Sequence, residues 1–403
     1  MSTDARSRGF GTRAIKAATR PPRVEQQPAA VPIYQSATFH AEDVEDYAQL
    51  IGFQKPGYTY SRLENPTADA MAAAFAEMHG AESGYAFGSG MAAIHATLVT
   101  LVQAGDRIVS TQAVYGSTRS LMERVLAPLG VETVFVDPTD LDAVEKALAG
   151  GRTRVLYAET ISNPTLVVAD LERLAELGHG HGATVVVDNT FASPYICAPR
   201  SLGVDVVVES ATKWLSGHSD VIAGAVAGER GLIERVRTVA TDTGGIVAPL
   251  SAFLVLRGMQ TLHVRMDRHS ASALALARQL EAAPGVAGVA YPGLPSHPQA
   301  AVAQRELRRG GGMLAIDLGS RAAAAAFIDG LQIPPVTATL GSVVTYAVHP
   351  PSATHRQLDE RQLAEAGIAP GLVRISVGLE DVDDLLADMA LALISAAEAG
   401  LGA

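Results

Sequence analysis

Cysteine is almost missing from this chain. Cys197 is the only one in 403 residues, which excludes an internal disulfide framework and a cysteine-based metal cluster, and fits a reducing compartment. An excess of positive charge is missing too. With Lys+Arg 31 against Asp+Glu 42, the formal net charge is -11, so there is no basic field with which to hold nucleic acid. Nowhere does the sequence approach the roughly 20 uninterrupted apolar residues of a membrane-spanning helix, and its first residues lack the apolar core of a signal peptide. The expectation is a cytoplasmic protein that handles small molecules, with neither nucleic acid nor membrane as a partner. The Arg-rich start (Arg6, Arg8, Arg13, Arg20, Arg23), broken by Pro21, Pro22 and Pro28, reads as an extended N-terminal arm in preference to a transit peptide.

What is present is apolar and periodic. Hydrophobic residues make up 48% of the chain, enough for a sizeable core, and the length suggests more than one domain at roughly 100–200 residues each. Between about residues 66 and 225 helical periodicity alternates with short apolar runs. Residues 68–79, 91–104, 141–149 and 171–178 read as helices. Residues 83–87, 107–110, 131–136, 155–159, 184–188 and 206–208 read as strands, most of them apolar on both faces. Such alternation predicts an α/β class with a mostly parallel, doubly wound sheet, in which ligands gather beyond the carboxyl ends of the strands. After about residue 250 come a long helical stretch, 251–280, and then shorter strands. The expected division is an arm over 1–65, a large domain over 66–255 and a smaller α/β domain over 256–403.

The residues after those strand ends carry the chemistry. Val206-Val207-Val208-Glu209 runs into Ser210-Ala211-Thr212-Lys213, two hydroxyls flanking a lysine. A desolvated amine there is nucleophilic enough to form an imine with an aldehyde cofactor, and the hydroxyls suit a phosphate; an ordinary loop lysine is the alternative. Asp188 closes the wholly apolar run 184–187. A carboxylate in that place needs a positive partner, for which a protonated pyridine nitrogen serves, with a helix cap or a metal ligand as alternatives. Ser89, Gly90 and Met91 form a Gly-rich turn opening a helix, a general anion site. Tyr115 follows another strand, where its ring either stacks on a planar cofactor or merely packs. Arg374 alternates with apolar neighbours in 372–377, suited to a bidentate grip on an α-carboxylate or to a structural ion pair. His179 and His181 sit among glycines as at a helix end, Cys197 reads as a small buried hydrophobe, and Asp381 to Asp384 as a helix start.

Together these segments resemble the pyridoxal phosphate enzymes of sulfur amino-acid metabolism: the cystathionine γ-synthases, the cystathionine and methionine γ-lyases and the homoserine sulfhydrylases. The likeness spans nearly the whole chain, from Tyr60-Ser61-Arg62 through Ser89-Gly90-Met91, Tyr115-Gly116, Ser162-Asn163-Pro164, Asp188-Asn189-Thr190 and Ser210-Ala211-Thr212-Lys213 to Arg374-Ile375-Ser376-Val377-Gly378. It implies an aspartate-aminotransferase-like fold of type I, pyridoxal 5′-phosphate on Lys213, and a homotetramer built from active dimers. By the same likeness Ser89, Gly90, Met91, Ser210 and Thr212 hold the phosphate. Asn163 lies near the ring hydroxyl, Asp188 at the ring nitrogen and Tyr115 above the ring, while Tyr60 and Arg62 reach the phosphate of the neighbouring subunit.

Within the family, departures from pattern point to the substrate. Relatives that handle cystathionine usually carry an acid just before the arm tyrosine and another in the loop ahead of the C-terminal His-Pro. In this sequence those positions hold Thr59 and Val344. Neither can pair with a distal ammonium, whereas a methyl thioether rests well against Val344. Thr345 stands where relatives often have a serine that helps to bind the carboxylate, and Arg374 would grip that carboxylate. The expected reaction is γ-elimination of L-methionine to methanethiol, 2-oxobutanoate and ammonia, with Lys213 as base and Tyr115 as acid. The alternatives are γ-replacement on O-acetyl- or O-succinyl-homoserine and cleavage of cystathionine.

Overall fold

Runs of valine favour strands because a β-branched side chain is crowded against the preceding turn of a helix but packs freely on a pleated surface. The computed structural model describes residues 8–20, 28–356 and 358–400. In it seven strands form one sheet: β1 (Ser83–Phe87), β2 (Arg107–Thr111), β3 (Glu132–Val136), β4 (Thr153–Glu159), β5 (Thr184–Asp188), β6 (Val206–Glu209) and β7 (Gly224–Gly228). Their order is β1-β7-β6-β5-β4-β2-β3. Neighbours from β6 to β3 pair in parallel, while β7 runs antiparallel to both β1 and β6. The sheet is therefore mixed at one side. The link from β6 to β7 carries Lys213 through a string of turns with no crossover helix, so the chain re-enters the sheet at the end where it left and β7 runs antiparallel to β6.

Both faces of the sheet are covered. Val185, Val187 and Val207 pack into one apolar cluster, and their alternates Val186, Val206 and Val208 pack into another. All six are fully buried, each contributing roughly 1.5–3 kcal/mol by leaving water. Glu159 at the end of β4 stands beside Asp188 at the end of β5, which stands beside Val208 of β6. This register sets the carboxyl ends of three strands level and gives the site its floor.

A second sheet contains β8 (Gly288–Ala290), β9 (Met313–Asp317), β10 (Tyr346–Val348) and β11 (Leu372–Ser376), in the order β10-β11-β9-β8 and antiparallel throughout. Helices Leu262–Glu281, Arg321–Gly330 and Val382–Gly400 close its core around Ile316, Phe327, Ile375 and Met389. The long helical stretch expected over 251–280 is two helices, Pro249–Met259 and Leu262–Glu281. Buried Arg265 secures the second of them to the Lys213 segment, its guanidinium donating to the carbonyls of Trp214 (2.7 Å), Leu215 (3.4 Å) and Gly258 (2.7 Å).

The arm is less extended than its prolines suggest. Phe10–Ala18 is a helix whose Phe10, Ala14, Ala17 and Ala18 are buried, and Arg20 reaches Glu77 of helix Pro66–His79 at 2.8 Å. The expectations for Arg6, Arg23, Pro21 and Pro22 fall outside the described residues. Among the described residues no helix is long and apolar enough to cross a membrane.

Candidate active site

Helix Gly90–Leu101 opens at the sheet's carboxyl edge, and Ser89 caps it by accepting from the Ala92 N–H at 3.1 Å. The first N–H groups of a helix have no intrahelical acceptor, so they face whatever anion approaches. Glycine lets this end lie against the β6–β7 link. A Cβ on Gly90 would sit 2.8 Å from Cβ of Ser210, and one on Gly224 would sit 2.2 Å from the carbonyl oxygen of Ser89. Ser210 donates its N–H to the Thr190 hydroxyl at 2.8 Å. The Thr212 hydroxyl donates to the Ala223 carbonyl and accepts from its N–H, both at 3.1 Å.

Across the cavity floor lie four ionisable groups: Lys213, Asp188, Glu159 and Arg374. Lys213 Nζ donates to the Thr339 hydroxyl at 3.1 Å, and burial together with nearby Arg374 pulls its pKa down to about 8. Asp188 accepts from the Thr190 N–H at 2.9 Å and the Tyr157 hydroxyl at 3.4 Å. Burial raises the pKa of Asp188, so its anion is held best when a cation meets it. Glu159 takes the N–H of Tyr115 at 2.6 Å and that of Asn163 at 3.1 Å. Burial and then Asp188 push its pKa well up, against those two bonds. Arg374 gives Nη1 to Asn163 Oδ1 at 2.8 Å and Nη2 to the Ala338 carbonyl at 2.7 Å. Its buried Nε has no partner, and burial lowers its pKa to about 10. A guanidinium in that state is short of an anion.

The structure brings Ser89, Gly90, Met91, Tyr115, Asn163, Asp188, Ser210, Thr212, Lys213 and Arg374 to the wall of one cavity of about 280 Å³. Glu159, Thr190, Phe191 and Thr354 line it as well; of these the sequence reading named only Thr190, within the Asp188-Asn189-Thr190 segment, and gave none of the four a role. Glu159 carried the same signal as Asp188, a carboxylate ending an apolar run. Thr339, the hydrogen-bond partner of Lys213, lay in a loop with no periodicity to mark it.

Five expected residues lie off that wall. Thr59 is buried, Tyr60 is 42% exposed, and Arg62 donates to the Thr241 carbonyl at 2.6 Å. Val344 is 36% exposed. Thr345 is fully buried, and its hydroxyl donates to Glu380 at 2.7 Å while accepting from the Gly378 N–H at 2.8 Å. That commitment runs against the expected contact between the Thr345 hydroxyl and a carboxylate. A wider groove of about 660 Å³, beside helices Pro66–His79 and Arg230–Thr243, holds none of the expected site residues. His179 pairs with Asp205 at 2.9 Å near the end of its helix. Cys197 is buried, which raises its thiol pKa.

The family model for Cys/Met metabolism PLP-dependent enzymes matches residues 11–394. The chain belongs to this family. An L-methionine gamma-lyase from Pseudomonas putida is 42% identical over 96% of this chain and 98% of its own. A cystathionine gamma-lyase from Bacillus subtilis is 40% identical over 90% and 92%. A crystal structure of a putative O-acetylhomoserine (thiol)-lyase from Campylobacter jejuni superposes with a TM-score of 0.92 at 31% identity, covering 96% of this chain and all of that one, and contains a pyridoxyl-lysine phosphate. The protein is thus a pyridoxal phosphate-dependent enzyme of fold type I, in a family whose members act on sulfur-containing amino acids and their precursors. The activities named for these three relatives differ.

Proposed function

We propose that this enzyme eliminates methanethiol from L-methionine, one water then releasing 2-oxobutanoate and ammonia. The observation that carries the reading is the absence of charge at Thr59 and Val344, where a cystathionine-handling site would carry acids; the 42% identity to an L-methionine gamma-lyase supports it.

The chemistry of the cavity's polar groups suits the cofactor. The helix start at Ser89, Gly90 and Met91, with Ser210 and Thr212, would hold the phosphate, and Asp188 the ring nitrogen. Asn163 would stand by the ring hydroxyl, and the Tyr115 ring over the face. When bound, the cofactor withdraws electrons from the substrate's α-carbon. Arg374, through its unpartnered Nε edge, would grip the α-carboxylate. Lys213 Nζ would take the α-proton, release it on the cofactor side and so be neutral again to take one from Cβ, its lowered pKa suiting it to act as a base near neutrality. Tyr115 Oη would deliver a proton to the departing sulfur. Val344 would border the methyl thioether, and Thr345 would shape that loop through Glu380 and Gly378. Tyr60 and Arg62, off their own chain's cavity, would serve the neighbouring subunit of a homotetramer.

One feature favours the second reading, γ-replacement on O-succinylhomoserine. A vestibule of about 450 Å³ shares Tyr115, Ala338 and Thr354 with the cavity and adds Arg124 and Arg356, whose guanidinium groups suit a terminal carboxylate. Purified holoenzyme given methionine alone is expected to release methanethiol. No methanethiol, together with turnover of O-succinylhomoserine plus sulfide or cysteine, overturns the first reading and establishes the second.

A further inference from the structure

The buried strand-end carboxylates of the large sheet do not all have a counter-ion. Asp188 stands where a pyridinium would meet it, and Glu209 pairs with buried His79 at 3.0 Å and accepts from Asn189 at 2.8 Å. Glu159 is 6% exposed, and both its oxygens go to backbone N–H groups, those of Tyr115 and Asn163. A buried carboxylate is retained only where hydrogen bonds replace its water. Both of these donors belong to residues of the cofactor wall, on loops that follow different strands, β2 and β4.

We propose that Glu159 is the positioning residue of this site, one carboxylate that fixes the height of the Tyr115 ring and the reach of the Asn163 amide. The side chain of Tyr115 makes no hydrogen bond among the described residues, so its place is set through its backbone. That backbone has two anchors: its carbonyl accepts from Thr118 and Arg119 of the short helix Gly116–Ser120, and its N–H is held by Glu159. Asn163 in turn accepts on its Oδ1 from Arg374 Nη1. A change at Glu159 therefore reaches the acid through its backbone N–H, whereas the Asn163 amide keeps its second hold on Arg374 and Arg374 its hold on the Ala338 carbonyl. The proposal rests on the role of Tyr115 given above.

A double-mutant cycle in the holoenzyme tests it. Glu159→Gln keeps the shape but turns an NH2 toward one of the two N–H donors. Its kcat is expected to fall on the order of 10- to 100-fold, the scale of a misplaced catalytic group, with KM and the visible cofactor band changed little. In a Tyr115→Phe background the same replacement should lower kcat by less than about threefold, because coupled residues do not add. Equal losses in both backgrounds, or no loss from Glu159→Gln beside a normal loss from Tyr115→Phe, overturn this proposal alone. A Tyr115→Phe enzyme with unchanged kcat overturns the role of Tyr115 and this proposal with it. Where Glu159→Gln gives no folded holoenzyme, Glu159→Asp, which keeps the charge but shortens its reach by a methylene, goes through the same cycle with the same criteria.

Discussion

At the scale of single residues, the site keeps a lysine against its chemical preference. Burial and Arg374 lower the Lys213 pKa from 10.5 to about 8, while the unfolded chain restores the ordinary value. Between those two pH values the unfolded protein binds more protons than the folded one, so the stability of cofactor-free protein rises with pH across the window. Lys213→Met removes that penalty. Without cofactor it should melt above the native chain at about pH 7, with the gap closing at about pH 10; thermal melts at both pH values check this, and a gap independent of pH refutes it. Lys213 and Asp188 were legible because a charge at the end of an apolar run is an anomaly that needs a partner. Glu159 presented the same anomaly and went unread, since its partners are backbone groups that leave no trace in sequence. Thr345 was read from the place it shares with a serine of relatives, and Glu380, which claims its hydroxyl, is 35 residues away.

At the scale of elements, the helix start and β7 are one device. Gly224 of β7 lies so close to Ser89 and Gly90 that a methyl group would fall 2.2 Å from one backbone oxygen and 2.8 Å from the next nitrogen. Gly224→Ala therefore has to push the helix start away, destabilising the fold by about 1–3 kcal/mol. If that helix start holds the phosphate, denaturant melts will show a larger loss with cofactor bound than without; equal losses place the phosphate elsewhere. The parallel strands β2 to β6 were legible from their β-branched residues. β7 was not, because Gly-Ala-Val-Ala-Gly has the composition of a loop and is made a strand by the close approach it permits. The break between helices Pro249–Met259 and Leu262–Glu281 was also hidden, since no proline or glycine stands at Gln260 or Thr261.

At the scale of the whole molecule, Tyr60 and Arg62 raise the question of what a complete site needs. A homotetramer of active dimers predicts complementation. Arg62→Ala and Lys213→Ala proteins, each nearly inactive alone, should regain part of the activity when refolded together, because one kind of mixed site then has both residues intact. Activity assays after co-refolding, with light scattering for the assembled mass, check this; no recovery in a mixed oligomer places Arg62 outside the neighbouring site. Nothing in the pattern of one chain reveals where a second chain sits, so the expectation for Tyr60 and Arg62 rests on family likeness alone. The cavity's polar groups sit on strand ends and a helix start locked by register, whereas Thr59 and Val344 lie on irregular segments outside both sheets. If Thr59 and Val344 select the substrate as proposed, drift there would leave the frame standing, and a lineage could exchange one sulfur substrate for another by point substitution without passing through an ancestor that fails to fold.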